Sequence, residues 1–146
     1  MEHYRRILCT TDFTDYSEAA VERAASLATQ FRADLTLMHV IEHFPEERPA
    51  ESVPPEHVDP ETFRVNQARD RLAEQARSLG SQVRREVRIS SRSAYQEIVE
   101  FAEEAGIDLI VLASHGHQGI LGMLGSNVDR VLHGAPCDVL VVRAKD

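Results

Sequence analysis

Four glycines recur at three-residue intervals toward the C-terminal end of the chain, Gly116, Gly119, Gly122 and Gly125, and Ser126 and Asn127 follow the last of them. Glycine keeps side chains off a loop and lets a ligand approach the backbone. If Gly125-Ser126 opens a helix, the free N–H groups and partial positive charge at its start suit a phosphate. The Ser126 hydroxyl and the Asn127 amide would add hydrogen bonds. A tight turn without a ligand is the other reading of this spacing, and the residues alone leave both open. A second polar cluster, Thr10-Thr11-Asp12-Phe13-Thr14-Asp15, follows the apolar run Ile7-Leu8-Cys9. Asp12 there reads equally as a helix cap and as a carboxylate turned toward a ligand.

Other chemistries lack their parts. Lys145 is the only lysine, so there is no Walker-type phosphate loop, which needs a lysine after its glycine. His115 and His117 form an i, i+2 pair, and His39 and His43 lie near the same crevice edge, but no third ligand completes a transition-metal site. All four are read as solvated loop residues. Ser17 and Ser114 have no His–Asp pair around them, so no catalytic residue is assigned. Cys9, inside an apolar run, reads as a small buried hydrophobe. With Cys137 it makes no disulfide framework, which suits a reduced, cytoplasmic chain. The formal charge of −8 argues against non-specific nucleic-acid binding. No apolar run approaches membrane length, and no secretory signal is expected.

The elements that must position these clusters alternate. Strands are expected at Arg6–Thr10, Leu35–Ile41, Gln82–Ile89, Asp108–Ala113 and Asp138–Val142. Helices are expected after Thr14 or Asp15, from Asp59 or Pro60 to about Leu79, over Ala94–Ala105 capped by Ser93, and from about Ser126 to Leu132. Gly80 and Gly106 are read as helix stops. The stretch from Glu42 to Glu61 carries five prolines and reads as a long surface loop. The expectation is one domain over residues 1–146, an α/β fold with an open, five-stranded, parallel sheet and helices on both faces.

In such sheets ligands bind beyond the carboxyl ends of the strands, where the winding reverses. A flavodoxin-like order would put that point between strands one and three. Only Ser90-Ser91-Arg92-Ser93 follows strand three, whereas the polar and glycine-rich segments follow strands one and four. The order 3-2-1-4-5 is therefore expected. Asp34, Asp108 and Asp138 would then mark strand starts at the opposite end.

Ala113-Ser114-His115-Gly116, Gly125-Ser126 and Ala135-Pro136-Cys137-Asp138-Val139-Leu140-Val141-Val142-Arg143 together resemble the C-terminal signature of the universal stress protein family. Ile7-Leu8-Cys9-Thr10-Thr11-Asp12-Phe13-Thr14 is similar to that family's N-terminal strand and acidic turn. The resemblance covers nearly the whole chain. It implies a Rossmann-like fold of the adenine nucleotide alpha hydrolase type, with ATP as ligand and any Mg²⁺ held chiefly by phosphates and water. It also implies that Asp12 and the backbone of Val40 contact adenine, Thr10 and Thr11 line the floor, and Ala113 lies at the ribose. Gly116, Gly125, Ser126 and Asn127 would hold phosphates. ATP-binding members carry glycine, two residues, glycine, nine residues, then glycine with Ser or Thr. Here Ala113 stands at the first glycine, and eight residues separate Gly116 from Gly125.

The last strand, 138–143, would be a sheet edge, yet Val139-Leu140-Val141-Val142 is apolar on both faces. Natural edges of that kind are blunted or paired. Antiparallel pairing with a second copy is expected, giving a two-fold homodimer, as the family resemblance also implies. The functional expectation is an ATP-binding stress-response or signalling module that an unknown protein partner reads, with at most slow ATP hydrolysis. The alternative is a nucleotide-free module that acts through its dimer surface. A small metal-dependent hydrolase is the third and weakest reading.

Overall fold

The run Ile7-Leu8-Cys9 forms the middle of β1 (Arg6–Thr10), with all three side chains fully buried. A parallel strand covered on both faces is continuously apolar rather than alternating, and β4 (Leu109–Ala113) follows the same rule. β2 (Asp34–Glu42), β3 (Arg84–Ser90) and β5 (Asp138–Val142) complete the sheet. This computed structural model describes residues 3–42, 59–80, 82–90, 92–114 and 123–143, with 123–127 described by backbone alone. All strand pairs are parallel, in the order β3-β2-β1-β4-β5. This is the order inferred from where the polar loops fall.

Local chemistry sets the helix ends. α1 (Asp15–Phe31) begins where the Thr14 side chain accepts the Ser17 amide, and it stops at Arg32 in the left-handed region. α2 (Pro60–Arg77) has Pro60 at its first position and Asp59 as its cap, accepting the Thr62 amide at 2.9 Å. It ends two residues before the predicted limit, capped at Ser78. Gly80, read as the stop, lies beyond that cap at φ +131°. α3 (Ala94–Ala105) does end at a left-handed glycine, Gly106. α4 (Met123–Gly134) starts earlier than the expected Ser126, which puts Gly125 and Ser126 inside its first turn. β3 starts at Arg84 rather than Gln82.

The helices divide between the two faces of the sheet. Ala20, Ala24 and Ala28 of α1 and Leu72 and Ala76 of α2 pack on Ile7, Cys9, Leu37 and Val111. Alanine lets α1 approach closely, as its small-residue face predicts. On the other face Ile98 and Ala102 of α3 and Val131 of α4 pack on Leu8, Met38, Ile110 and Leu112. Each fully buried Leu or Ile contributes about 1.5–3 kcal/mol. The winding reverses between β1 and β4, which pair directly through Cys9 and Val111.

At the amino ends of the strands the aspartates act structurally, as expected. The Asp108 carboxylate accepts the amides of Arg5 and Arg6 at 2.9–3.2 Å. Asp138 accepts the Tyr4 hydroxyl at 2.7 Å, and the Asp34 amide donates to the Arg5 carbonyl. Among the described residues no helix is long and apolar enough to cross a membrane.

Candidate functional site

The carboxyl ends of β2, β1 and β4 lie side by side and bring most of the predicted residues together. Thr10 ends β1, opposite Met38. Continuing that register sets Asp12 level with Val40. Continuing the β1–β4 register sets Thr11 level with Ala113, the last residue of β4.

β2 runs four residues past the end of this pairing, to Glu42. The Thr11 amide donates to the Met38 carbonyl at 2.9 Å, so the backbone polar groups of Met38 face β1. Along a strand, groups two residues apart point the same way. The N–H and C=O of Val40 therefore face the space beyond the end of the β1 ladder, beside Asp12. Its side chain packs on the α3–α4 face.

The turn after β1 is built from its own hydroxyls. Thr11 is buried, and its Oγ1 lies 3.1 Å from Ser17 Oγ and accepts the Phe13 amide at 3.0 Å. Ser17, dismissed above as a nucleophile, is thus a buried strut that also donates to the Thr14 carbonyl at 3.0 Å. Asp12 Oδ1 accepts both the amide and the hydroxyl of Thr14, at 3.1 and 2.5 Å. Thr14 Oγ1 in turn accepts the Ser17 amide at 3.3 Å. Asp12 is thereby tied to the start of α1 through one oxygen.

Two contributors escaped the sequence reading. Phe13 has φ +67°, a left-handed conformation unusual for a residue other than glycine. Its ring meets the His39 ring at 4.6 Å between centroids, and the Arg71 guanidinium lies 4.4 Å over it. His39 is therefore not a solvated loop residue. It is half-buried on β2, with Nδ1 2.8 Å from the Thr11 carbonyl oxygen.

The helix start also lies at this end. α4 leaves the loop after β4 and descends to β5, so its first turn stands over the carboxyl end of the sheet. With the helix beginning at Met123, the backbone amides of Met123, Leu124 and Gly125 are among those without an intrahelical acceptor. Ser126 completes that turn and Asn127 opens the next. Gly116, His115 and His117 lie outside the described residues. Among the described residues no group of three or more His, Cys, Asp or Glu could hold a metal ion.

This arrangement is a fork between two strands with exposed backbone on one side, a carboxylate at its centre and a helix start on the other. It can bind a flat heterocycle by main-chain hydrogen bonds and an anion by amides. The model of the universal stress protein family matches residues 3–143. The chain belongs to that family. This universal stress protein is 36% identical over 144 residues to universal stress protein A homolog 1 of Coxiella burnetii, covering 99% of each chain. Its fold is similar to universal stress protein UspA from Lactobacillus plantarum, with a TM-score of 0.76 and 23% identity over 98% of this chain and 100% of that one. It is also similar to a universal stress protein in complex with cAMP, with a TM-score of 0.71 and 23% identity over 99% of this chain and 100% of that one.

Proposed function

We propose that this universal stress protein is a cytoplasmic, homodimeric module that binds ATP and presents its occupancy to a protein partner. The observation that carries this reading is the alignment of Asp12 with the outward-facing backbone of Val40, at the sheet end where α4 begins. Adenine would be held by the Asp12 carboxylate and the Val40 main chain, over the buried Thr11 turn, and the ribose would lie at Ala113. The amides at the start of α4, up to Gly125, would receive phosphates, with Gly116, Ser126 and Asn127 contributing as the family pattern implies. Mg²⁺ would enter with the nucleotide, bound mainly by phosphate and water. The universal stress protein in complex with cAMP supports the reading to the extent that this fold accommodates an adenine nucleotide. The free thiols of Cys9 and Cys137 suit a reducing compartment.

Two assays test it. Purified protein is denatured and the released small molecules are identified, and nucleotide-free protein is titrated with Mg-ATP in a calorimeter. Released adenine nucleotide, or saturable heat, is the expected result. Neither signal at about millimolar ATP would defeat the proposal.

A second reading is favoured by Ala113, which adds a methyl at the end of β4 where the family resemblance implies glycine for a nucleotide-binding member. In it the chain is a nucleotide-free module acting through its β5 dimer surface. Gly125→Trp would fill the crevice. Partner binding that survives in the folded variant supports the second reading, and its loss opposes it.

A further inference from the structure

At the end of the sheet opposite the crevice, a cleft of 620 Å³ opens between the first half of β3 and the last turns of α3. One side of it is apolar, formed by Phe101, Ala105 and Ile107. Thr36 is 7% exposed at its lining, and its hydroxyl makes no hydrogen bond among the described residues. Three arginines border the cleft, Arg6, Arg84 and Arg85, in a chain whose net charge is −8. None of the three forms an ion pair among the described residues. In contrast, nearby Arg88 is surrounded by Glu86, Glu97, Glu100 and Glu104. Of the two carboxylates at the cleft, Glu86 is bound by Arg88 at 3.0 Å, which leaves Asp34 on the same face as the guanidinium groups of Arg6 and Arg84.

The strand pairing explains why these groups share one face. Arg6 opposes Asp34 and Arg84 opposes Thr36, and each of these positions points to the α3 side, as Leu8 and Met38 do further along their strands. Arg6 is held in place. One guanidinium nitrogen donates to the Ala105 carbonyl at 3.3 Å and crosses the end of α3 so closely that a Cβ on Gly106 would meet it at 2.8 Å. A guanidinium carries five N–H donors in a rigid fork, so capping one carbonyl leaves most of them for a ligand.

We propose that this cleft is a second binding site, for a small organic anion whose carboxylate or phosphate lies between Arg6, Arg84 and Thr36 and whose apolar body rests on Phe101 and Ile107. It is separate from the nucleotide crevice and does not depend on it. Small-molecule sites combine such an apolar wall with a few convergent polar groups.

Phenyl phosphate and inorganic phosphate are suitable probes, added to isotopically labelled protein and followed by amide NMR shifts. Phenyl phosphate is expected to give saturable shifts at Arg6, Thr36 and Arg84, with Thr10–Asp12 unmoved, and inorganic phosphate to bind at least several-fold more weakly. Arg84→Ala removes one exposed side chain and should fold normally. It should weaken phenyl phosphate binding by about tenfold or more. Thr36→Val, nearly isosteric, should weaken it less and serves as a check if Arg84→Ala is unstable. No saturable shift at the cleft up to about 10 mM phenyl phosphate would overturn the proposal. Binding unchanged in both variants would overturn it too.

Discussion

The Nδ1 atom of His39 on β2 lies 2.8 Å from the main-chain oxygen of Thr11, so one strand holds the turn that follows its neighbour. A carbonyl oxygen can only accept, so Nδ1 carries the proton. The same ring packs on Phe13, whose left-handed backbone is strained by roughly 1–3 kcal/mol and persists only where its surroundings fix it. His39→Leu keeps the bulk and removes the donor. It should cost about 1–2 kcal/mol in urea unfolding. Because Asp12 sits on this turn, it should also weaken the proposed Mg-ATP binding by roughly tenfold in calorimetry. Unchanged stability and affinity would mean that other contacts fix the turn.

A long-range carboxylate caps α3. Glu42, the last residue of β2, accepts the Ala94 amide at 2.9 Å. Ser93 occupies the cap position but makes no capping bond, and its hydroxyl donates to Gln96 Oε1 at 3.0 Å instead. Glu42→Ala should therefore cost about 1 kcal/mol. Ser93→Ala should stay within about 0.5 kcal/mol of the parent. Denaturant midpoints at constant slope decide the order, and the reverse ranking would return the capping role to Ser93.

Both thiols should be sluggish. Burial drives the Cys9 thiol far above its ordinary value. Cys137 is pushed up to about 11 from 9.0, first by burial and then by the carboxylates of Asp138 and Asp108. Thiolate is the reactive form, so labelling by a thiol reagent near pH 8 should be slow until the protein is unfolded. The sign of the pH effect follows. Between 9.0 and about 11 the folded Cys137 keeps its proton while the unfolded one loses it. Stability conferred by the protonated thiol is complete below 9.0 and declines as pH rises through that window. Cys137→Ala should flatten the decline in unfolding experiments at graded pH. An identical slope in the variant would assign it to other groups.

Much of this architecture is legible in the residues because it depends on local pattern and on where polar loops fall. The buried runs at Ile7–Cys9 and Leu109–Leu112 announce central strands, and the contrast between Thr10–Asp12 and Ser90–Ser93 locates the reversal of winding. Strand order follows from those facts, whereas the grouping of Asp12, Val40 and Ala113 is what the family resemblance implies, and the observed register brings the three to one end of the sheet. What escaped depends on contacts distant in sequence or on rare backbone. Nothing in the type of Phe13 signals a positive φ, which Arg71 and His39 sustain from α2 and β2. Glu42 reaches across 52 positions to cap a helix that already had a serine in the right place. The sequence sets the start of α4 three residues too late, at Ser126 rather than Met123, because Gly125 resembles a boundary. Glycine inside a helix costs only about 1 kcal/mol, and the fold overrides it.

The β5 edge gives the most direct test of the proposed homodimer. The Ser114 amide donates to the Val142 carbonyl at 2.9 Å, so the polar groups of Val142 face β4. By alternation those of Leu140 and Asp138 face β4 as well, while those of Val139 and Val141 point away from the sheet. A second copy pairing along this edge would use the outward set. Proline is tolerated in an edge strand where its missing N–H would have faced outward. Val141→Pro should therefore leave the β4–β5 ladder intact yet remove one donor from each copy at the interface. It should weaken self-association by at least about tenfold in sedimentation velocity while preserving the circular dichroism of the fold. Leu140→Pro breaks the inward ladder and should destabilise the domain itself. A parent chain that sediments as a monomer at all accessible concentrations would overturn the dimer. A Val141→Pro variant that dimerises as tightly as the parent would place the interface elsewhere.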